Sequence, residues 1–111
     1  MKSDQYVYGF VRLDLQPVQR IIQFGHDCLE LGRLIESSGN DPLAHPNFCL
    51  FQVADEPELI AVVQALQDAG IKHRAFFETS YDTGYTALAT EPISGEARLF
   101  FSNYERYVQD A

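Results

Sequence analysis

Five polar side chains at helical spacing, Gln19, Gln23, His26, Glu30 and Arg33, follow a strand-like segment that ends in Val11-Arg12-Leu13-Asp14-Leu15. Steps of three and four residues place them on one face of a helix. They bring an imidazole, a carboxylate and a guanidinium close to the carboxyl end of a strand, where open α/β sheets bind ligands. An imidazole, with its ordinary pKa of about 6.5, suits proton transfer at neutral pH. The same spacing also fits a plainer arrangement. In it His26 pairs with Glu30 one turn later, and Glu30 with Arg33 on a solvated surface.

The elements that must position this stripe follow from periodicity and punctuation. Gln5 to Leu13 is rich in β-branched and aromatic residues, and apolar side chains fall on both of its faces, Val7, Val11 and Leu13 on one and Tyr6, Tyr8 and Phe10 on the other. That pattern predicts a central strand covered on two sides. Pro17 suits the first turn of the following helix. Its expected apolar face is Val18, Ile21, Ile22, Gly25, Cys28, Leu29, Gly32 and Ile35, with the two glycines placed for close approach to the sheet or to a ligand. Asp41 to Pro46, with two prolines, reads as a loop, and Asn47 to Val53 as a second, buried strand.

Asp55 is a predicted cap for the next helix, whose buried face is Leu59, Ile60, Val63 and Leu66 and whose end is Gly70 as a left-handed cap. Ile71 to Phe77 and Tyr85 to Thr90 are the third and fourth strands, and Glu96 to about Tyr107 the last helix. The order strand, helix, strand, helix, strand, strand, helix predicts a three-layer α/β/α single domain over residues 1–111 with a four-stranded mixed sheet.

Composition bounds the partners. The 111 residues are 46% hydrophobic and 22% charged, as expected of a globular chain. No apolar run approaches the roughly 18 residues of a membrane span. The segment after Met1 lacks a signal peptide's apolar stretch, so a cytoplasmic protein is expected. Sixteen acidic and eight basic residues give a net charge of -8, which opposes any partner bound mainly through phosphates. A local basic face would have to come from Arg12, Arg20, Arg33, Lys72 and Arg74. Cys28 and Cys49 read as reduced core thiols, and no Cys-x-x-Cys or His-x-x-x-His spacing occurs. Neither a metal nor another cofactor is expected.

Three segments in register carry a resemblance. Val11-Arg12-Leu13-Asp14-Leu15, then Gln23-Phe24-Gly25-His26, then Thr86-Ala87-Leu88-Ala89-Thr90-Glu91-Pro92 look like the corresponding motifs of the peptidyl-tRNA hydrolase II family, in the same order along nearly the whole chain. The resemblance implies a four-stranded mixed sheet flanked by helices, and hydrolysis of the ester that joins a peptide to tRNA. It matches Gln23, His26 and Thr86 to site positions. Where the family has Gly-Lys this chain has Val18-Gln19, and no Asp-Ala-Gly occurs between Phe77 and Gly84. Glu78 or Asp82 could stand in for the family's aspartate, and Glu78 is the choice because it sits at the end of the third strand.

In a hydrolase of this kind His26 would act as general base or orient a water, Glu78 would fix its tautomer, Gln23 or Gln19 would hold the carbonyl, and Thr86 would donate a hydrogen bond. Arg12 and Asp14 border the same strand end as ligand-binding candidates. Glutamine at position 19 brings no positive charge to a phosphate or an oxyanion. With the acidic balance, that favours a noncatalytic descendant of the scaffold, binding a small ligand, a nucleotide or a protein. The alternative is a peptidyl-tRNA or aminoacyl-ester hydrolase centred on His26. A homodimer is compatible with either.

Overall fold

The computed structural model describes residues 4–37 and 46–108. Most of the loop expected at Asp41 to Pro46 therefore lies outside the described residues. Four strands, β1 (Tyr6–Arg12), β2 (Asn47–Val53), β3 (His73–Glu78) and β4 (Gly84–Thr90), and two helices, α1 (Pro17–Ser37) and α2 (Glu56–Asp68), make a mixed α/β domain. The sheet order is β2-β1-β4-β3. β1 runs parallel to β2, with Tyr8 opposite Cys49, and antiparallel to β4, with Phe10 opposite Leu88, while β3 and β4 form an antiparallel hairpin.

Local signals set several boundaries. The Asp55 carboxylate accepts from the Glu58 N–H at 3.1 Å, and Pro57 occupies the first turn of α2, where its missing donor costs nothing. At the other end the Gly70 N–H reaches Gln67 O and the Ile71 N–H reaches Leu66 O, the paired bonds of a Schellman closure, with Gly70 at φ 71°. This closure engages Ile71 and delays β3 to His73. The buried face of α2 is Leu59, Val62 and Leu66, so Val62 takes the place expected of Ile60, which is exposed.

The two sides of the sheet differ in kind. On the α2 side Tyr8, Phe10, Phe51, Val53, Leu88, Ile93 and Phe101 pack with the three α2 side chains into the main core, and Tyr8 stacks on Phe101 with centroids 3.9 Å apart. On the other side α1 rests on β4 and β3 rather than over β1 and β2. The floor there is made of small residues: Gly9, Ala87 and Ala89. A Cβ on Gly9 would lie 2.5 Å from the Phe24 ring, so glycine is what makes room for that ring of α1 against β1.

The orientation of α1 reverses the expected one. Arg20, Gln23, Asp27 and Leu31 are buried against the sheet, while Val18, Ile21, Ile22 and Leu29 are exposed. Added Cβ atoms at Gly25 and Gly32 would meet nothing within 4 Å, so neither glycine serves contact with the sheet. The polar inward face persists because β3 and β4 supply polar groups to meet part of it, including the Thr86 hydroxyl.

The last predicted helix is also corrected. Gly95–Phe101 is a 3₁₀ helix, and the chain after it is irregular. The Gln52 N–H bonds to Glu105 O and the Tyr107 N–H to Leu50 O, so these residues cover the outer edge of β2 instead of continuing a helix.

Candidate functional site

Gln23, Glu78 and Thr86 converge where α1 crosses the β3–β4 hairpin. Residues on the two strands lose register between Phe76 and Phe77, which face Ala87 and Tyr85, leaving Thr86 as the extra residue of a bulge. A bulge re-aims a side chain, and here it turns Thr86 toward α1. The Thr86 hydroxyl donates to Gln23 Oε1 at 2.9 Å, and Gln23 Nε2 donates to Glu78 Oε2 at 3.3 Å. The other Glu78 oxygen accepts from the Ser80 N–H at 3.0 Å. Bonds from Ser80 and Gln23 hold the Glu78 carboxyl below the usual carboxylate range, with nearby His26 adding a smaller pull in the same direction.

This chain of bonds is largely self-contained. Thr86 is fully buried and Gln23 nearly so, and their polar atoms are used on each other, on Glu78 and on the Phe76 carbonyl, which also accepts from the Thr86 hydroxyl at 3.4 Å. His26 is exposed and stacks on Phe76, with centroids 5.2 Å apart and the planes 13° from parallel. No hydrogen bond joins it to Glu78, so the tautomer-fixing contact expected of that pair is not formed. His26 and Glu30 make no ion pair, nor do Glu30 and Arg33; among the described residues the salt bridge present is Arg12 with Asp14. Gln19 is exposed at the start of the same flank of α1.

Arg12 and Asp14, the expected ligand-binding candidates, are bonded to each other, and Arg12 also to the start of β4. Two guanidinium nitrogens grip the Asp14 carboxylate at 2.9 and 2.8 Å, and Nη1 donates to Thr83 O and Tyr85 O at 2.6 and 2.9 Å. The bidentate pair pulls the Asp14 carboxyl below its ordinary value and the Arg12 guanidinium above its own. Arg12 thus ties the end of β1 to the start of β4. Arg20 is likewise spent inside the fold: Nε donates to Leu15 O at 2.9 Å, Nη2 to Leu13 O at 2.7 Å and Nη1 to the Tyr107 hydroxyl at 3.2 Å. With Arg12 and Arg20 both buried, the local basic face does not form.

Two features were not singled out from sequence. Asp27 lies one turn after Gln23 on the inner face of α1, and neither of its fully buried carboxylate oxygens has a hydrogen-bond partner. Burial foremost, then repulsion from Glu30, pushes its carboxyl up to about 8, while Arg74 on β3 pulls weakly the other way. Its step of four from Gln23 was the available signal. Burial, with Asp27 adding to it, also pushes the Cys28 thiol up to about 11, which keeps it protonated and unreactive. Both cysteines are free and half-buried, packed less deeply than expected of core thiols.

The second feature is a cleft of about 600 Å³ on the part of the sheet that α1 leaves open, lined by Val11, Pro17, Arg20, Ile21, Phe24, Gly25, Leu50 and Tyr107. Its walls are mainly apolar. The Tyr107 hydroxyl accepts from Arg20 and donates to no described residue, so its O–H remains for a further partner. Leu50 and Tyr107 come from distant parts of the chain, which hid the cleft from a reading by motif.

The fold is similar to that of a solved structure. It is the protein of unknown function Atu0240 from Agrobacterium tumefaciens strain C58, similar at a TM-score of 0.70 and 11% identity over 96% of this chain and 99% of that one. The likeness is one of fold. No protein-family model and no curated protein matches the chain. No described helix is long and apolar enough to cross a membrane. Among the described residues no group of three or more His, Cys, Asp or Glu side chains gathers as a metal site would require.

Proposed function

We propose that this domain is a noncatalytic binding module whose cleft beside α1 takes a small ligand with an apolar body and one hydrogen-bond acceptor, a carbonyl or carboxylate oxygen. The observation that carries the reading is the cleft itself. Its volume of about 600 Å³ falls within the range of small-molecule sites, and it joins apolar walls to one convergent donor. The Tyr107 O–H, with its oxygen accepting from a guanidinium, is polarised toward a ligand oxygen. A fluorescent apolar anion, 1-anilinonaphthalene-8-sulfonate, is expected to bind saturably and to be displaced by decanoate. Tyr107→Phe should weaken decanoate about tenfold by removing one hydrogen bond to a charged acceptor, and Ile21→Trp should fill the cleft and abolish probe binding. Unsaturable probe fluorescence, unaltered in both variants, would sink the reading.

A second reading draws on the convergence of Gln23, Glu78 and Thr86 beside His26. It is the ester hydrolase implied by the resemblance to the peptidyl-tRNA hydrolase II family, with His26 as the proton acceptor at the exposed end of the cluster. Release of peptide from peptidyl-tRNA by the wild type but not by His26→Ala would establish it. Equal background rates in both proteins would remove it. The buried, mutually bonded state of Thr86 and Gln23 favours the binding module.

A further inference from the structure

We propose that the outer face of α1 is the interface of a two-fold homodimer, in which α1 crosses α1 of a second copy in antiparallel fashion at Gly25. The first ground is the reversed polarity of the helix. Arg20, Gln23 and Asp27 point inward, while Val18, Ile21 and Leu29 stand 58%, 74% and 74% exposed. An apolar strip that no part of the described fold covers is the mark of a surface buried by association.

The second ground is glycine. Gly25 and Gly32 lie inside α1 with ordinary helical backbone and open space where a Cβ would be. Glycine is the poorest helix former after proline, and neither residue is needed for packing within the chain. Both face the same way as Val18 and Leu29, so the space they leave is on the outer face.

The spacing selects a second copy as the occupant. Residues equidistant from the crossing face each other in an antiparallel pair, and Ile21 lies four before Gly25 while Leu29 lies four after. Ile21 therefore packs on Leu29 of the partner subunit. Val18, seven before, enters the gap over Gly32 of the partner subunit, seven after. This is the self-complementarity an isologous interface requires, each contact occurring twice. The central strip holds no charge, so nothing is buried unpaired; Arg33 and Glu36 come after Gly32.

The area fits a modest dimer. Val18, Ile21, Ile22 and Leu29 expose apolar surface on the order of 400 Å². Two copies bury roughly twice that, the size of a weak, transient interface that dissociates on dilution. Ile21 and Gly25 border the cleft as well as the strip, whereas Leu29 and Gly32 do not line it, so variants at these two positions separate the dimer from the ligand proposal.

Sedimentation velocity of the full chain from 1 to 300 µM tests it. The 12.6 kDa species is expected to give way to one of about twice the mass. Leu29→Glu and Gly32→Leu should each raise the dissociation constant at least tenfold while leaving the far-ultraviolet circular dichroism intact. Gly25→Cys, in a Cys28→Ser and Cys49→Ser background, should form a disulfide-linked dimer on oxidation, because the crossing places the two copies of that position together. A monomer at 300 µM overturns the proposal and leaves the face to another occupant. A dimer unaffected by both interface variants overturns it by placing the contact elsewhere.

Discussion

The two sides of this sheet solve the same packing problem with opposite chemistry. On the α2 side, Phe10, Leu88, Leu59 and Leu66 are fully buried among aromatic and aliphatic neighbours. On the α1 side, the small cluster of Val7, Leu31 and Ala89 shares its interface with Gln23, Thr86 and a carboxylate without a partner. One side stores stability; the other exchanges some of it for buried polar groups and an uncovered apolar surface. Variants on the two sides should therefore differ in sign as well as size.

The largest effect belongs to the α2 side. Phe10→Ala removes a ring that contacts Phe51, Phe101 and Tyr104, and is expected to cost about 3–5 kcal/mol in denaturant unfolding. Ile21→Ala, an equally apolar truncation on the outer face of α1, should stay within about 0.5 kcal/mol when measured on dilute protein. Comparable losses at both positions would erase the contrast.

Asp27 should give the next largest change, in the opposite direction. Its carboxyl is pushed up to about 8 in the folded chain from an ordinary 3.8, so between these values the folded state holds a proton that the unfolded state releases. Stability must then fall as the pH rises from about 4 to about 8, and level off above. Asp27→Asn removes the ionisation while keeping the shape. The variant should be more stable at pH 7 by an amount on the order of 2–4 kcal/mol, and its unfolding free energy should lose that slope. A wild-type stability that is flat or rising across this window would show that Asp27 ionises without penalty.

The contrast between the sides also marks how far the sequence could be read. Asp55 and Gly70 cap α2 as expected, and β2 has the predicted bounds, because caps and alternating strand patterns are local signals. The spacing of Gln23 and His26 placed both on α1, and Glu78 was placed at the end of β3. The orientation of α1 was out of reach, since hydrophobic periodicity finds an apolar face but not what lies opposite it. Only the β3–β4 bulge, a register shift between strands, determines that Thr86 meets Gln23. The C-terminal segment was misread for a related reason: residues after Phe101 follow the edge of β2, a partner some fifty residues earlier in the chain.

Thr86→Val probes that polar contact with an effect of intermediate size. It keeps the shape of the side chain and leaves Gln23 Oε1 buried without its donor, for an expected loss of about 1–2 kcal/mol. In Gln23→Leu the valine should cost much less, because no acceptor remains to be satisfied. A double-mutant cycle on these two positions is expected to return a coupling near 1 kcal/mol, and zero coupling would mean that the bond contributes only geometry.

The smallest prediction concerns Gly32. Alanine there gains helix propensity, and the added methyl group meets nothing in the same chain. Measured near 1 µM, where the proposed dimer is dissociated, Gly32→Ala should stabilise the fold by roughly 0.8–1.0 kcal/mol. At several hundred micromolar the gain should shrink, because the methyl group then occupies the gap meant for Val18 of the partner subunit. A gain that is the same at both concentrations would separate the glycine from the interface and leave the exposed strip of α1 without that explanation.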